Sequence, residues 1–499
     1  MGSNPAAPTN MDWTTIADVN ALRSRMQRGG ASMSEQAMAA AARQTTRSFV
    51  LSRHSLCKLL GYATGFWVAV LLLQPQWLLG TFFWGNSSAH GIDYWCIPRG
   101  FLNLLAGQSM FDTFAGVQFG GPPVTWYLGH PVFVLLVAPW FAFFRPELSL
   151  WLWSVATIAL LLCVGWMFSR RASSELGKSA CIFFSVFGFP ALNLLSSGNM
   201  HGWLVLALAL TVVGLFDLSG GVRSGQRELA AGLLISLFSK PILLFALPMF
   251  LLVRQTRKAT AIVVAVYVLV SLLCVLVPPL NPASVGLQRE IALFFDPAYV
   301  RGHMNVYNNH FVLTAEMKDN AIHWLNLVAQ SDFYWDHIQI FSLSAFLNSL
   351  VGVQLPAMLY KLPLLAALLA SFCVPLVRDE TARMRAAMWA TVLLLLTFFL
   401  SYNTVWEYQY TAIIPVLLLG IVLLDHGMDE GNARWLVVCG AVISLPSLYF
   451  FFGEKITIGE FAWMRSTRVL PICALYIAVA CTLWRRYLWP SLKRNRQVS

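Results

Sequence analysis

The polar side chains of this 499-residue chain that could do chemistry fall into a few short clusters. The first reads His90-Gly91-Ile92-Asp93-Tyr94-Trp95-Cys96-Ile97-Pro98-Arg99, a carboxylate among aromatic residues near the end of an apolar segment. A carboxylate near a bilayer boundary is costly unless it is hydrated or paired. Asp93 could act as a general base toward a hydroxyl. An ion pair with Arg99 or the capping of a helix N-terminus are equally open interpretations.

Two more clusters stand inside apolar surroundings. Ser196-Ser197-Gly198-Asn199-Met200-His201-Gly202 opens an apolar helix, where a glycine-rich turn either holds an anion or simply joins two helices. Lys240-Pro241 interrupts the apolar run 229–252, and the proline predicts a break in the helix. A lysine at that depth has to snorkel, form an ion pair or bind an anion. We favour a functional role for Lys240.

The remaining clusters combine cations, amides and aromatic rings, the set that holds phosphates and sugar hydroxyls. One contains Arg301-Gly302-His303-Met304-Asn305 and Tyr307-Asn308-Asn309-His310. The other reads Ser401-Tyr402-Asn403-Thr404-Val405-Trp406-Glu407-Tyr408-Gln409-Tyr410. Aromatic residues are expected at a membrane interface, whereas a glutamate is not. A loop of this composition can also be merely solvated.

Composition shows which elements have to position these residues. Apolar residues make up 58% of the chain and charged residues only 11%, too few charges to cover a soluble surface. These values exclude a cytosolic enzyme, a secreted domain and a disordered scaffold. The net charge of +11 lies in short basic clusters between apolar runs, which is typical of the cytoplasmic side of a membrane protein and argues against nucleic-acid binding. No spacing of the nine cysteines indicates a disulfide framework or a metal site.

We predict an all-α polytopic membrane protein with about twelve transmembrane helices, because a helix needs about 20 apolar residues to cross the bilayer. The candidates are 57–82, 123–144, 147–168, 179–196, 199–217, 228–252, 258–278, 357–377, 385–401, 408–425, 433–452 and 468–488. Twelve crossings leave five cations on the outer side: Arg170, Arg171, Lys178, Arg223 and Arg227. In a second interpretation, 123–144 and 228–252 are broken or re-entrant, and these charges lie inside.

Other segments complete the predicted organisation. Residues 1–55 form a cytoplasmic segment that holds either a short amphipathic interfacial helix or a partly ordered tail. Residues 56–490 form the transmembrane domain, with two long extracytoplasmic loops at about 84–122 and 279–356. Residues 491–499 are a basic cytoplasmic tail. Loops of this size on a rigid scaffold often carry function.

The order of these motifs resembles glycosyltransferase family 87, enzymes of the integral-membrane GT-C fold that use polyprenyl-phosphate sugars. Asp93 with its aromatic neighbours, Pro122-Pro123, Gly198-Asn199 and Lys240-Pro241 follow one another in the order typical of the family. The resemblance covers about residues 57–425. The chain departs from the family at Gly121, where an aromatic is usual, and at Trp406-Glu407-Tyr408-Gln409, where the family commonly has Trp-x-His-His.

The resemblance implies an inverting transfer of a sugar, usually mannose, from a polyprenyl-phosphate donor to an acceptor hydroxyl on the extracytoplasmic face, with Asp93 as general base. The donor-binding candidates are Arg99, Asn199, Lys240, Arg301, His303, His310, Trp406, Glu407 and Gln409. Retention through a glycosyl-enzyme would need a second carboxylate such as Glu407. Glu407 or His310 could also stand in for the family's missing histidines.

The same resemblance implies a bacterial inner membrane and a glycolipid, glycan or protein acceptor. We expect activity without a metal ion or other cofactor, since no nucleotide-sugar motif or metal cluster is evident. The bilayer is the other expected partner. The principal alternative is a transporter or lipid flippase, which typically carries ionisable groups at mid-membrane and internal repeats. Lys240 is the clearest embedded charge, and we detect no repeat.

Overall fold

The computed structural model describes residues 91–111 except Ile92, 129–281, 341–352, 355–402 except Ala357, 405–446 and 461–496, together with the isolated Gly65, Ala69 and Leu72. All of them belong to one compact unit, residues 51–499. The predicted N-terminal amphipathic helix, nearly all of the 57–82 segment and most of both long loops lie outside the described residues.

The described part is helical and contains no β-strand. In chain order its α-helices are α1 Cys96–Leu105, α2 Pro131–Val137, α3 Pro139–Ala142, α4 Pro146–Ser169, α5 Glu175–Val186, α6 Phe189–Ser197, α7 His201–Ser219, α8 Gly225–Phe238, α9 Leu247–Leu252, α10 Arg254–Leu276, α11 Leu343–Val351, α12 Leu362–Cys373, α13 Glu380–Ser401, α14 Ile414–Asp425, α15 Glu430–Ser444, α16 Phe461–Thr482 and α17 Trp489–Arg496. Short 3₁₀ segments include Pro241–Ala246, Leu359–Lys361 and Glu407–Ile413, and a π segment spans Leu483–Leu488.

Local sequence sets where these helices begin. Pro146 starts α4 at a position that needs no backbone N–H donor. Ser174 caps α5 by accepting a hydrogen bond from the Gly177 amide over 3.0 Å. The Asp379 side chain does the same for α13, accepting from the Ala382 amide over 2.6 Å. Such caps satisfy amides that have no partner within the helix and so fix its first turn.

Eight of these helical stretches are long and apolar enough to cross a membrane. They are Pro146–Ser169, Glu175–Ser197, His201–Ser219, Arg254–Leu276, Leu359–Leu376, Glu380–Ser401, Glu407–Asp425 and Arg465–Lys493. Each overlaps one predicted span, which confirms an all-α polytopic membrane protein. The count of twelve stays a prediction: within 123–144 the described residues form only the short α2 and α3, and α15 has 15 residues.

Burial divides the bundle into central and peripheral helices. The Glu380–Ser401 and Glu407–Asp425 stretches are each 89% buried inside the protein, whereas Arg254–Leu276 is only 17% buried. An apolar helix with so little protein contact has to face lipid, because no other solvent accepts such a surface. The α13–α14 pair therefore forms the centre, and α10 lies at the periphery.

The ends of many helices meet in a polar cluster at one end of the bundle. Arg171, just after α4, donates from Nε to Asp217 Oδ1 over 2.9 Å and reaches Glu228 Oε1 over 2.9 Å from NH2. The Asp425 carboxylate at the end of α14 accepts from the Ser174 amide over 2.9 Å. These contacts place the end of α7, the start of α8 and the end of α14 together. We call this the basic end of the bundle.

The segment 225–252 leaves the basic end and returns to it. The Gln226 side chain at the start of α8 donates to the Gln255 carbonyl over 3.1 Å, immediately after α9 has ended. Lys240 lies between the two arms, at the apex of a hairpin. The Ser236 hydroxyl holds this break by donating to the Lys240 carbonyl over 2.9 Å. The two arms thus form a hairpin, the shape that the re-entrant interpretation expects, and Arg171, Arg223 and Arg227 lie at the same end as Arg254 and Lys258.

Close packing fixes the α8 arm against α7. A Cβ at Gly232 would lie 2.5 Å from the Ala207 carbonyl oxygen and from the Thr211 hydroxyl, so only glycine allows this approach. The two backbones are therefore in contact at this point. Because α7 begins beside Asn199, this contact also sets where the apex of the hairpin lies relative to that residue.

Candidate functional site

The site is built where the loop before α1 meets the turn between α6 and α7. The Gly91 amide donates to the Ser196 carbonyl over 2.7 Å, and the Asp93 amide donates to the Ser197 carbonyl over 3.0 Å. These two backbone hydrogen bonds join segments that are about 100 residues apart in the chain. They bring the first and second clusters of the sequence into one place.

Gly198 makes this docking possible. Its φ of +65° is in the left-handed region, which glycine adopts without steric cost. A Cβ at this position would lie 2.8 Å from Tyr94 Cβ and 3.2 Å from Gly91 Cα. The Trp153 indole donates to the Gly198 carbonyl over 2.9 Å and holds the turn from the other side. Position 198, the first of the Gly-Asn pair, therefore requires glycine.

The Asp93 carboxylate, which is partly exposed, is held by the Asn199 side chain. The Asn199 amide donates from Nδ2 to Asp93 Oδ2 over 2.9 Å. Tyr408 lies near the same carboxylate and favours its ionised form. A carboxylate positioned by an amide donor, with part of its surface open, is suited to accept a proton from a bound hydroxyl.

Burial raises the pKa of Asp93 above its ordinary value, because an ionised carboxylate loses hydration in this recess. Three groups oppose that effect and favour the ionised form: the Asn199 amide, the positive charge of Lys240 and the Tyr408 hydroxyl. The two directions together describe a carboxylate whose ionisation depends on its neighbours. Such dependence is common at functional sites.

Lys240 is the cation of this site. It reaches Asp93 electrostatically from the apex of the re-entrant hairpin. Among the ion pairs of the described residues there is none between Lys240 and Asp93, so no direct bridge cancels the two charges. A cation near a carboxylate but not paired with it can receive a negatively charged group while the carboxylate remains ionised.

Asp93 neither caps a helix N-terminus nor forms an ion pair with Arg99 in the described structure. Helix α1 begins at Cys96 with Trp95 as N-cap residue and has no side-chain cap hydrogen bond. Within the described residues, Asp93 and Arg99 do not form a salt bridge, and the hydrogen bond that the Asp93 carboxylate accepts comes from Asn199. Arg99 is buried in α1 with 2% of its surface exposed. Its predicted role in holding a donor phosphate stays a prediction.

Two of the predicted residues in the 406–409 segment, Glu407 and Gln409, have structural partners, and the predicted donor-binding roles in this segment stay predictions. Glu407 is buried and accepts from Arg468 Nε over 2.6 Å in an ion pair, and Arg468 also donates to the Leu445 carbonyl over 2.7 Å. The Gln409 side chain accepts from the Trp406 amide over 3.1 Å and so caps the 3₁₀ segment. Tyr408, between Glu407 and Gln409, lies near Asp93.

The remaining predicted donor-binding residues, Arg301, His303 and His310, lie outside the described residues. Their proximity to Asp93 stays a prediction. Within the described part, no group of three or more His, Cys, Asp and Glu side chains is arranged to hold a metal ion.

Sequence analysis missed three residues of this site or its support: His201, Tyr408 and Arg468. His201 is fully buried, and its Nδ1 lies 2.8 Å from Asn199 Oδ1. Signals for His201 and Tyr408 existed, since both stand inside the clusters that were singled out. Arg468 carried no such signal, because it lies within α16, 61 positions after its partner Glu407.

No family model matches the chain, and no match was found among the curated proteins or the solved structures. The resemblance to glycosyltransferase family 87 consequently rests on the motifs of the sequence alone.

Proposed function

We propose that this protein is an integral membrane glycosyltransferase of the GT-C type. It transfers a sugar from a polyprenyl-phosphate donor to an acceptor hydroxyl, with inversion. The observation that carries the proposal is the meeting of Asp93, Asn199 and Lys240 from three separate parts of the chain. A general base, its positioning amide and a cation for an anionic leaving group are the parts that such a transfer needs.

The proposed reaction uses each group at one step. The Asp93 carboxylate accepts the proton of the acceptor hydroxyl as the oxygen attacks the anomeric carbon. The bond between that carbon and the phosphate oxygen breaks, and the electron pair leaves with the lipid phosphate. Lys240 offsets the charge that develops on this phosphate. A phosphate leaving group requires no proton from a strong acid.

Inversion is supported by the ion pair of Glu407, the second carboxylate of the region, with Arg468. Retention requires a carboxylate nucleophile close to the first carboxyl group. Glu407 is the nearest in sequence to the site residue Tyr408, but its carboxylate forms the buried ion pair with Arg468. A single attack with Asp93 as base therefore fits the described residues better than a glycosyl-enzyme does.

The arrangement of charges supports an extracytoplasmic site. The basic end gathers cations that lie before, within and after the re-entrant hairpin, and cytoplasmic loops are enriched in such residues. Asp93 lies at the other end of α4, α6 and α7. We place the protein in a bacterial inner membrane, with mannose as the proposed sugar and a glycolipid, glycan or protein as acceptor, because these are the expectations from the family.

A transporter or flippase is the second candidate, and the re-entrant hairpin is the observation that favours it. Broken helices that meet near the bilayer midplane form the binding sites of many transporters. Transport through such a site would depend on Lys240. It would not require the Asp93 carboxylate to accept a proton from a substrate hydroxyl.

The two candidates are separated by a turnover assay in nanodiscs. Purified protein is incubated with a panel of polyprenyl-phosphate sugars and a membrane lipid acceptor fraction. We expect one donor to be consumed, and the Asp93→Asn variant to consume none. Asp379→Asn, at a helix cap near the basic end, is the matched control and should retain activity. Ion-coupled uptake that requires Lys240 but survives Asp93→Asn would reverse the assignment in favour of transport.

A further inference from the structure

We infer that His201 is a positioning residue whose imidazole fixes the Asn199 amide so that its N–H, and not its oxygen, faces Asp93. The inference rests on the proposed function for its catalytic meaning. Its structural part stands on the contacts of these three side chains.

The Asn199 side chain could in principle present either of its two ends to Asp93. An N–H donor stabilises the carboxylate, whereas a carbonyl oxygen would repel it. Two groups of His201 decide the orientation: the His201 backbone N–H donates to Asn199 Oδ1 over 3.1 Å, and His201 Nδ1 lies 2.8 Å from the same oxygen. Both contacts hold the oxygen away from Asp93.

The contact at Nδ1 also fixes the tautomer of the imidazole. Asn199 Oδ1 can only accept a hydrogen bond, so Nδ1 has to carry the proton. His201 Nε2 is then the unprotonated nitrogen. It is buried and has no hydrogen-bond partner among the described residues. The polar function of this side chain is therefore its single hydrogen bond to Asn199.

His201 also contacts Tyr408, which lies near Asp93. Its ring lies edge-on to the Tyr408 ring, with 5.3 Å between the centroids and an interplanar angle of 72°. One buried imidazole thus touches both Asn199 and Tyr408. An apolar residue of similar size could fill the same space but would leave the amide oriented by the backbone N–H alone.

The test uses the two amide side chains that mimic the two imidazole nitrogens. In His201→Asn the Nδ2 group takes the place of Nδ1–H, and in His201→Gln the side-chain amide takes the place of Nε2. His201→Asn should retain turnover within a few-fold of wild type. His201→Gln and His201→Leu should lose about tenfold to a hundredfold, the effect of losing a hydrogen bond to a charged group.

A pH profile separates this role from a merely structural one. With the Asn199 amide held by the backbone N–H of position 201 alone, the acid limb of the rate profile should move to higher pH in His201→Gln but not in His201→Asn. The other groups that face Asp93 electrostatically, Lys240, Tyr408 and Cys96, are the same in both variants. Equal acid limbs for the two variants would overturn the inference.

Two further measurements keep the test decisive. In an Asn199→Ala background, His201→Gln should cause little additional loss, whereas additive losses would overturn the inference. Infrared titration of the Asp93 carboxyl group, with Asp93→Asn as the subtraction control, needs no substrate. If wild type consumes no donor, the proposed function fails, but the infrared titration still decides whether His201→Gln raises the pKa of Asp93.

Discussion

The amide of Asn199 donates to Asp93 over 2.9 Å although the two residues are 106 positions apart. Neither residue lies inside one of the long membrane-spanning helices. The loop that carries Asp93 docks on the turn that carries Asn199 through two backbone hydrogen bonds. The position of the candidate base is therefore a property of two irregular segments that a helical scaffold holds together.

The docking of these segments predicts a specific sensitivity at Gly198. Gly198→Ala should lower both Tm and turnover, because a methyl group there would meet Tyr94 Cβ in a left-handed backbone conformation. Gly221 is the matched control: its φ is +79°, and a Cβ there meets no atom within 4 Å. Gly221→Ala should lower the free energy of unfolding by only about 1–2 kcal/mol, the cost of a left-handed backbone conformation in alanine, and should leave turnover intact. Equal effects of the two substitutions would contradict the docking account.

The buried ion pair predicts a stability effect. Glu407→Gln or Arg468→Met should each destabilise the protein by about 3–5 kcal/mol, because each leaves a buried group without its partner. The double variant Glu407→Gln, Arg468→Met should be less destabilised than the two single losses combined. Thermal unfolding in detergent measures this. Lys178→Met, which breaks an exposed pair with Glu175, should leave Tm nearly unchanged. Single variants no worse than Lys178→Met would contradict a stabilising role for the pair.

Much of the architecture could be predicted from the sequence because apolar runs have the length that a bilayer requires. Asp93, Gly198-Asn199 and Lys240 were also predictable as site candidates, since polar residues at apolar boundaries are costly without a function. Their convergence was not predictable from composition. It depends on the Gly198 turn and on the Gly232 contact between α7 and α8, which are properties of the folded chain.

The roles within 406–409 could not be assigned from the sequence for a geometric reason. This segment starts a 3₁₀ helix, in which successive residues point about 120° apart. Tyr408 consequently faces Asp93 while its neighbour Glu407 faces Arg468. A motif that names four adjacent residues cannot tell which of them faces the site without the position of the helix.

The sequence predicts the break in the hairpin at Pro241 but not the return of the chain to the basic end. Proline at position 241 indicated a break, but the 24-residue length of the run 229–252 suits a full crossing equally well. The return of the chain to the basic end follows from the Gln226–Gln255 contact, which no local pattern encodes.

This topology makes a prediction about labelling. Cysteines introduced singly at Arg223 and at Lys258, with the exposed Cys163 and Cys481 replaced, should react with an impermeant maleimide from the same face of the membrane. A cysteine at Tyr402, which is 56% exposed near the other end, should react from the opposite face. Labelling of positions 223 and 258 from opposite faces would show that 228–252 crosses the membrane once.

Lys240 predicts a pH effect. Its charge lowers the pKa of Asp93, so Lys240→Met should raise that pKa further above the ordinary value. If the ionised carboxylate is the active form, turnover falls as pH decreases through this pKa. The acid limb should therefore lie at higher pH in the variant, with a rate loss on the order of a hundredfold at its optimum. Lys258→Met, at the basic end, is the control and should leave the profile unchanged. A shift to lower pH would contradict the assignment.

The most direct test of the account is donor turnover by Asp93→Asn beside wild type in the same nanodiscs. The variant should fold: burial raises the pKa of Asp93, so its ionisation costs stability as pH rises toward neutrality, and a neutral side chain should keep Tm at or above that of wild type at pH 7. The account predicts that this folded variant consumes no polyprenyl-phosphate sugar while wild type consumes one. Turnover by Asp93→Asn at the wild-type rate would contradict it.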